Sequence, residues 1–66
     1  MTEQIYDALW AFAKEHKDYH GENNEPQPLA ILSLYNEQPD IPIRLKTAAD
    51  IEEALQCIRM SLKFSF

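Results

Sequence analysis

Two histidines spaced four residues apart, His16 and His20, are the first residues whose type and spacing suggest chemistry. Side chains at this spacing project from the same side of a helix, and two helical histidines with a nearby carboxylate can bind zinc. However, Lys17 follows the first histidine, where the zinc-peptidase motif places Glu. We therefore predict that the chain needs no metal, and we interpret the pair as half-buried histidines at a helix end.

The other reactive side chains are isolated in the sequence. Cys57 is far from both histidines, which lie in the first third of the chain, so nothing places a base beside the thiol. Glu52 and Glu53 are adjacent, and on a helix they point to different faces and cannot act as an acid/base couple. A single glycine leaves no phosphate-cradling loop. We predict that the protein is not an enzyme and carries no cofactor.

The length of 66 residues predicts one domain, residues 1–66, with a thin stability margin that self-association often remedies. The sequence contains neither a signal peptide nor a run of about 20 apolar residues that would span a membrane. Its one cysteine cannot form an internal disulfide. These features favour a cytoplasmic protein with no membrane partner.

The formal charge of −5 is unevenly distributed. Residues 1–40 contain eight acidic and two basic side chains, a net of −6, whereas residues 41–66 contain three acidic and four basic ones, a net of +1. An acidic protein repels the phosphate backbone, so we predict no direct contact with nucleic acid. The asymmetry instead favours a partner protein with a basic surface, or head-to-tail packing of subunits.

The most apolar stretch of the chain is Pro28–Tyr35 (PLAILSLY). We interpret it as a strand covered on both faces, because apolar residues do not alternate with polar ones and the preceding prolines hold the chain extended. Ile41–Lys46 alternates apolar and polar residues and predicts a second strand, at an edge because of Pro42. The connection of five residues joins the two into an antiparallel hairpin.

Two amphipathic helices flank the predicted hairpin. The first, residues 3–20, is capped by Thr2 and closed by Gly21, and its apolar stripe is Ile5, Ala8, Leu9, Phe12, His16 and Tyr19. The second begins at the capping box Thr47–Asp50 and continues to about residue 62. Its apolar stripe is Ala48, Ile51, Ala54, Leu55, Ile58 and Leu62. Residues 61–66 also alternate like a strand, so a third strand remains an alternative for the tail.

The predicted fold is therefore α+β, in the order α-β-β-α, with two helices on one face of the hairpin. Its other face would be bare although PLAILSLY is apolar on both sides. We predict that a second copy covers that face, in a homodimer with Leu32 and Leu34 at its interface.

Several large apolar residues lie outside the predicted core stripes. On the first helix these are Tyr6 and Trp10, one turn apart beside acidic residues. On the second helix we expect Cys57, Met60 and Phe64 to lie on the side opposite the core stripe. Because such side chains ringed by charge are typical of binding hot spots, we predict that a partner protein binds Met60 and Phe64, with Tyr6 and Trp10 as the alternative.

Two function classes fit this sequence, and a metal-dependent activity at His16 and His20 is kept only as a minor option. The first is a small acidic interaction protein, an adaptor, inhibitor or regulatory subunit that binds another protein. The second is an acidic mimic of nucleic acid, encoded by a mobile element, that blocks a nucleic-acid-binding protein.

Overall fold

A computed structural model describes residues 2–21, 25–41 and 43–64, and these residues form three α-helices and no strand. The helices are α1, Glu3–Glu15, α2, Gln27–Asn36, and α3, Ala48–Lys63. The predicted α+β fold with a hairpin is therefore wrong, and the domain is all-helical. The sequence patterns that predicted the two strands are equally compatible with a helix for the first segment and a loop for the second.

Helix α1 is shorter than the predicted helix 3–20. Thr2 is its N-cap, with no hydrogen bond from its side chain, and Ile5, Leu9 and Ala13 are buried. The main chain leaves the helix at His16, and a turn closed by a 2.9 Å bond from Tyr19 N–H to the His16 carbonyl follows. This turn lets Tyr19 pack against the core. Ala8, predicted to belong to the apolar stripe, is exposed.

Gly21 closes the turn after α1 rather than the helix itself. Its φ of 73° is in the left-handed region that favours glycine. A Cβ at this position would also lie 3.3 Å from Cβ of Ala30 on α2. Glycine therefore permits both the turn and the close approach of the connection between α1 and α2 to Ala30 on α2.

Helix α2 contains the stretch that the sequence predicted as a strand. Pro26 is its N-cap and Pro28 lies in its first turn, where the main-chain N–H groups have no partner within the helix and proline costs little. The proline pair therefore starts a helix here. The residues buried in α2 are Ala30, Ile31, Leu32 and Tyr35. Because an exposed position of α2 is also apolar, Leu29 at 42% exposure, the helix lacks a clear polar face and its sequence resembles a buried strand.

The predicted second strand, Ile41–Lys46, is a loop with no partner strand in the described part of the chain. The Asn36 side chain forms the main-chain hydrogen bonds of Leu45 that a partner strand would otherwise form. Asn36 Nδ2 donates to the Leu45 carbonyl at 3.1 Å, and Leu45 N–H donates to Asn36 Oδ1 at 3.0 Å. The predicted common face is also absent, since Leu45 is buried but Ile43 is 51% exposed. Pro42, predicted to lie at a sheet edge, is outside the described residues.

Helix α3 begins where the sequence predicted. Thr47 is its N-cap, and its side chain accepts a 3.2 Å hydrogen bond from Asp50 N–H. The helix continues to Lys63, which excludes the alternative strand for 61–63. Residues 65 and 66 of the predicted tail are outside the described residues.

The buried side of α3 differs from its predicted stripe. The helix packs against both α1 and α2, and its buried stripe is rotated from the predicted one towards the side that carries Cys57 and Ser61. The fully or nearly buried residues of α3 are Ala54, Cys57, Ile58 and Ser61. The assignment of Cys57 to the outer side was therefore wrong, since it is 8% exposed. None of the helices in the described ranges is long and apolar enough to cross a lipid bilayer.

Candidate protein-binding face

Hydrogen bonds between the first and last helices define how the site is assembled. The Cys57 thiol donates to the Tyr6 carbonyl at 3.6 Å, and one turn later the Ser61 hydroxyl donates to the Trp10 carbonyl at 2.9 Å. The residue numbers increase together along both helices, so α1 and α3 run parallel. Because Cys57 and Ser61 are small, they let the two main chains approach closely at this contact.

An open groove of about 610 Å³ lies between α1 and α3. Tyr6 and Met60 stand at its sides with 36% and 45% of their surfaces exposed, and Cys57 contributes to its floor. Its lining residues are Tyr6, Trp10, Ala49, Glu52, Glu53, Gln56, Cys57 and Met60. Apolar and aromatic walls with a few carboxylates can hold an apolar side chain of another molecule.

An aromatic pair extends the groove towards the C-terminal ends of the helices. The ring of Phe64, which is 59% exposed, stacks on Trp10 with a centroid distance of 6.5 Å and an interplanar angle of 20°. Lys14 Nζ lies 5.7 Å from the Trp10 ring centroid, and Lys63 Nζ lies 6.0 Å from that of Phe64. Both ammonium groups are within the range of cation–π attraction, so this end of the surface carries positive charge.

The opposite end carries negative charge. The Tyr6 hydroxyl donates a 2.6 Å hydrogen bond to Glu53 Oε2. This bond lowers the pKa of Glu53 below its ordinary value, and Glu53 in turn raises the pKa of Tyr6. Glu53 therefore stays ionised and holds the Tyr6 ring beside the groove. Burial, followed by the charge of Asp7, raises the pKa of the Cys57 thiol, which makes it a poorer nucleophile at neutral pH.

The sequence offered Met60 and Phe64 on the last helix, or Tyr6 and Trp10 on the first, as alternative binding residues. The structure brings all four onto one surface, which we call the α1/α3 face. Sequence reasoning did not include the groove residues Ala49, Glu52, Glu53 and Gln56. Their helical spacing to Met60 (i−11, i−8, i−7 and i−4, in that order) indicates that they share a side of α3 with it, but nothing in the sequence joins them to α1.

The two residues predicted at a dimer interface lie elsewhere. Leu32 is 3% exposed within the core of its own chain. Leu34 is half-buried and borders a smaller cavity of about 220 Å³ with Tyr19 and Glu37. The reason for expecting a dimer through these residues was a sheet with a bare face, and that sheet is absent from the described residues.

The histidines do not converge on a metal-binding geometry. His16 Nδ1 lies 2.8 Å from the Phe12 carbonyl oxygen, which only accepts, so Nδ1 carries the proton. The His16 ring stacks on Phe12 at a centroid distance of 4.1 Å, while His20 is exposed. Within residues 2–21, 25–41 and 43–64, no three His, Cys, Asp or Glu side chains form a group that would hold a metal ion.

Comparison of the chain with protein-family models, with curated proteins and with solved structures finds no match.

Proposed function

We propose that this chain is a small non-enzymatic interaction protein, an adaptor, inhibitor or regulatory subunit, that binds another protein through its α1/α3 face. One observation carries the proposal: large apolar side chains of the first and last helices meet on this surface, and three of them, Tyr6, Met60 and Phe64, are exposed and outside the core cluster, whereas Trp10 is half-buried against it. Met60 and Phe64 are 45% and 59% exposed. Leu9, Ile31, Leu45 and Ile58 fill the core at 0–2% exposure.

The chemistry of the α1/α3 face supports this use. Trp, Tyr, Met and Phe are enriched at the centres of protein interfaces, charged residues are depleted there, and the rims of such interfaces are polar. Two anchors are also held in place before a partner arrives: Glu53 fixes the Tyr6 ring, and Phe64 stacks on Trp10. Side chains that are already ordered lose less conformational entropy on binding, which leaves more of the contact energy as affinity.

We place the protein in the cytoplasm. Cys57 is a free, buried thiol, and the fold uses it as a hydrogen-bond donor to the Tyr6 carbonyl. A structure that depends on a reduced thiol suits a reducing compartment.

Affinity capture from native host cells tests the function. The wild-type chain and the variants Met60→Ala and Phe64→Ala are compared as baits, with Ile43→Ala as the matched control. Ile43 is 51% exposed and lies outside the groove. We expect both face variants to stay folded, as measured by circular dichroism. Their affinity for a captured partner should fall by about 5- to 150-fold, which corresponds to a hot-spot loss of about 1–3 kcal/mol. The control should retain the partner.

A salt series separates this proposal from mimicry of nucleic acid. Binding to an apolar face should persist in high salt, whereas a mimic held by its acidic charge should be released. Equal capture by all three variants and the wild type, or release of every partner by salt, would contradict the proposed face.

A further inference from the structure

Charges of opposite sign lie at the two ends of the α1/α3 face. Glu3 and Lys14 are eleven residues apart on α1, and Glu52 and Lys63 have the same separation on α3. Eleven residues are close to three helical turns, so each pair lies on one side of its helix, about 16 Å apart. The exposed acidic end contains Glu3, Asp7, Glu52 and Glu53, and the exposed basic end contains Lys14 and Lys63.

A complementary surface must therefore be polarised in the same way, with an apolar centre between a basic and an acidic end. A uniformly basic surface would meet Lys14 and Lys63, and a uniformly acidic one would meet Glu3 and Glu52; like charges at such positions oppose association. The α1/α3 face of this chain itself has the required pattern. Rotation of a second copy by half a turn brings each acidic end onto a basic end, twice in the same assembly.

We infer that a second copy of this chain covers the α1/α3 face of the free protein, with its α1 and α3 antiparallel to those of the first. The apolar side chains Tyr6, Trp10, Met60 and Phe64 of both copies then form the centre of a four-helix interface. A standard interface of about 800 Å² per partner would use roughly a sixth of the 4631 Å² surface of the chain.

This inference rests on the proposed function, because it assigns an occupant to the same surface. It also gives that surface a form of regulation. Another protein that binds the α1/α3 face has to displace the second copy, so its apparent affinity falls as the concentration of this protein rises.

Complementary charge variants test the arrangement by sedimentation velocity. Lys14→Glu with Lys63→Glu makes both ends of the face acidic, and Glu3→Lys with Glu52→Lys makes both ends basic. We expect the wild type to form a dimer of about 15.4 kDa, twice the 7.7 kDa chain. Each double variant alone should weaken dimerisation at least tenfold, and an equal mixture of the two should restore it as a heterodimer. Glu53 is left unchanged because it binds Tyr6.

Matched controls keep the result interpretable. Lys46→Glu changes a charge on the exposed loop before α3, outside the groove, and should dimerise as the wild type does. Circular dichroism establishes that each variant is folded. If a reversal unfolds the chain, the neutral pair Lys14→Gln with Lys63→Gln replaces it and should weaken the dimer several-fold.

Two outcomes would overturn the inference. A wild-type chain that stays at 7.7 kDa over about two decades of concentration excludes the second copy. This result would leave the proposed function to the capture experiment. A monomeric chain can also bind a partner protein through the face, and Met60→Ala would then weaken that binding. A dimer that survives both charge variants but is lost in a folded Leu34→Asp chain would place the contact on α2 instead.

Discussion

The Ser61 hydroxyl donates a 2.9 Å hydrogen bond to the main-chain carbonyl of Trp10 and so joins the last helix to the first. Ser61 has no exposed surface, and a buried hydroxyl is tolerated only when it finds such an acceptor. Its small volume matters as well, because a larger side chain would separate α1 from α3. This contact determines where Trp10 lies on the α1/α3 face.

Substitution of Ser61 should therefore have two distinguishable effects. Ser61→Ala removes the hydroxyl, with its hydrogen bond to Trp10, while keeping the side chain small, and should lower the free energy of unfolding by about 1 kcal/mol. Ser61→Leu overpacks the contact and should cost about 1–3 kcal/mol. Urea denaturation measures both, with Ser33→Ala on the exposed side of α2 as the control. Equal stability of Ser61→Leu and wild type would contradict the close packing of the two helices.

The Tyr6–Glu53 bond predicts a specific pH dependence of stability. The pKa of Glu53 is lowered from 4.5, first because Tyr6 donates to it. A lowered pKa stabilises the fold above pH 4.5, and this stabilisation is lost as the pH falls through the folded-state value. The raised pKa of Tyr6 acts in the opposite direction, so its contribution is present below pH 10.0 and lost above it.

The variant Tyr6→Phe removes the donor and should be less stable than the wild type at neutral pH. The difference in unfolding free energy should shrink as the pH falls below 4.5 and as it rises above 10.0. Chemical denaturation across a pH series measures this, with Glu52→Gln as a neighbouring control. A difference that stays constant at all pH values would show that Tyr6 acts only by packing.

Two leucines distinguish the helix α2 from the strand that the sequence suggested. Leu32 is 3% exposed and Leu29 is 42% exposed. We expect Leu32→Ala to cost about 2–5 kcal/mol of stability, as other buried leucines do, and Leu29→Ala to cost less than about 1 kcal/mol. A strand covered on both faces would make the two losses similar. Thermal and urea denaturation of the two variants decides between these outcomes.

Asn36 should contribute more to stability than an ordinary helix C-terminal residue. Its amide satisfies both the N–H and the carbonyl of Leu45, whose side chain is 2% exposed. Asn36→Ala leaves both groups without that partner and should cost about 2–3 kcal/mol. It should also speed hydrogen exchange of the Leu45 amide, measured by NMR, whereas Gln38→Ala should leave that amide protected. Unchanged exchange in Asn36→Ala would contradict this role.

The parts of the fold that depend on residues close together in the chain could be predicted from the sequence. Thr47 caps α3 by accepting a hydrogen bond from the N–H of Asp50, three residues later in the chain. A contact between such close neighbours can be recognised from the sequence itself. The helical step also placed Met60 and Phe64 away from the core, and the structure shows both exposed. These conclusions needed no knowledge of the rest of the chain.

The prediction was wrong where distant contacts decide the structure. Pro28 is compatible with a strand and with the first turn of a helix, and only packing on several sides selects the helix. The segment around Leu45 satisfies its main chain with the Asn36 amide, which no alternating pattern reveals. Likewise, Tyr6 and Met60 share a groove only because α1 and α3 pack in parallel.

The hydrogen bonds that join α1 to α3 connect residues 47 to 51 positions apart in the chain. During synthesis, the residues of α1 are added to the chain before those of α3 that complete the α1/α3 face. A nascent or truncated chain that stops before Ala48 therefore carries Tyr6 and Trp10 but no groove. Assembly of the face therefore requires α3, so a chain that lacks this helix cannot compete for a partner of the face.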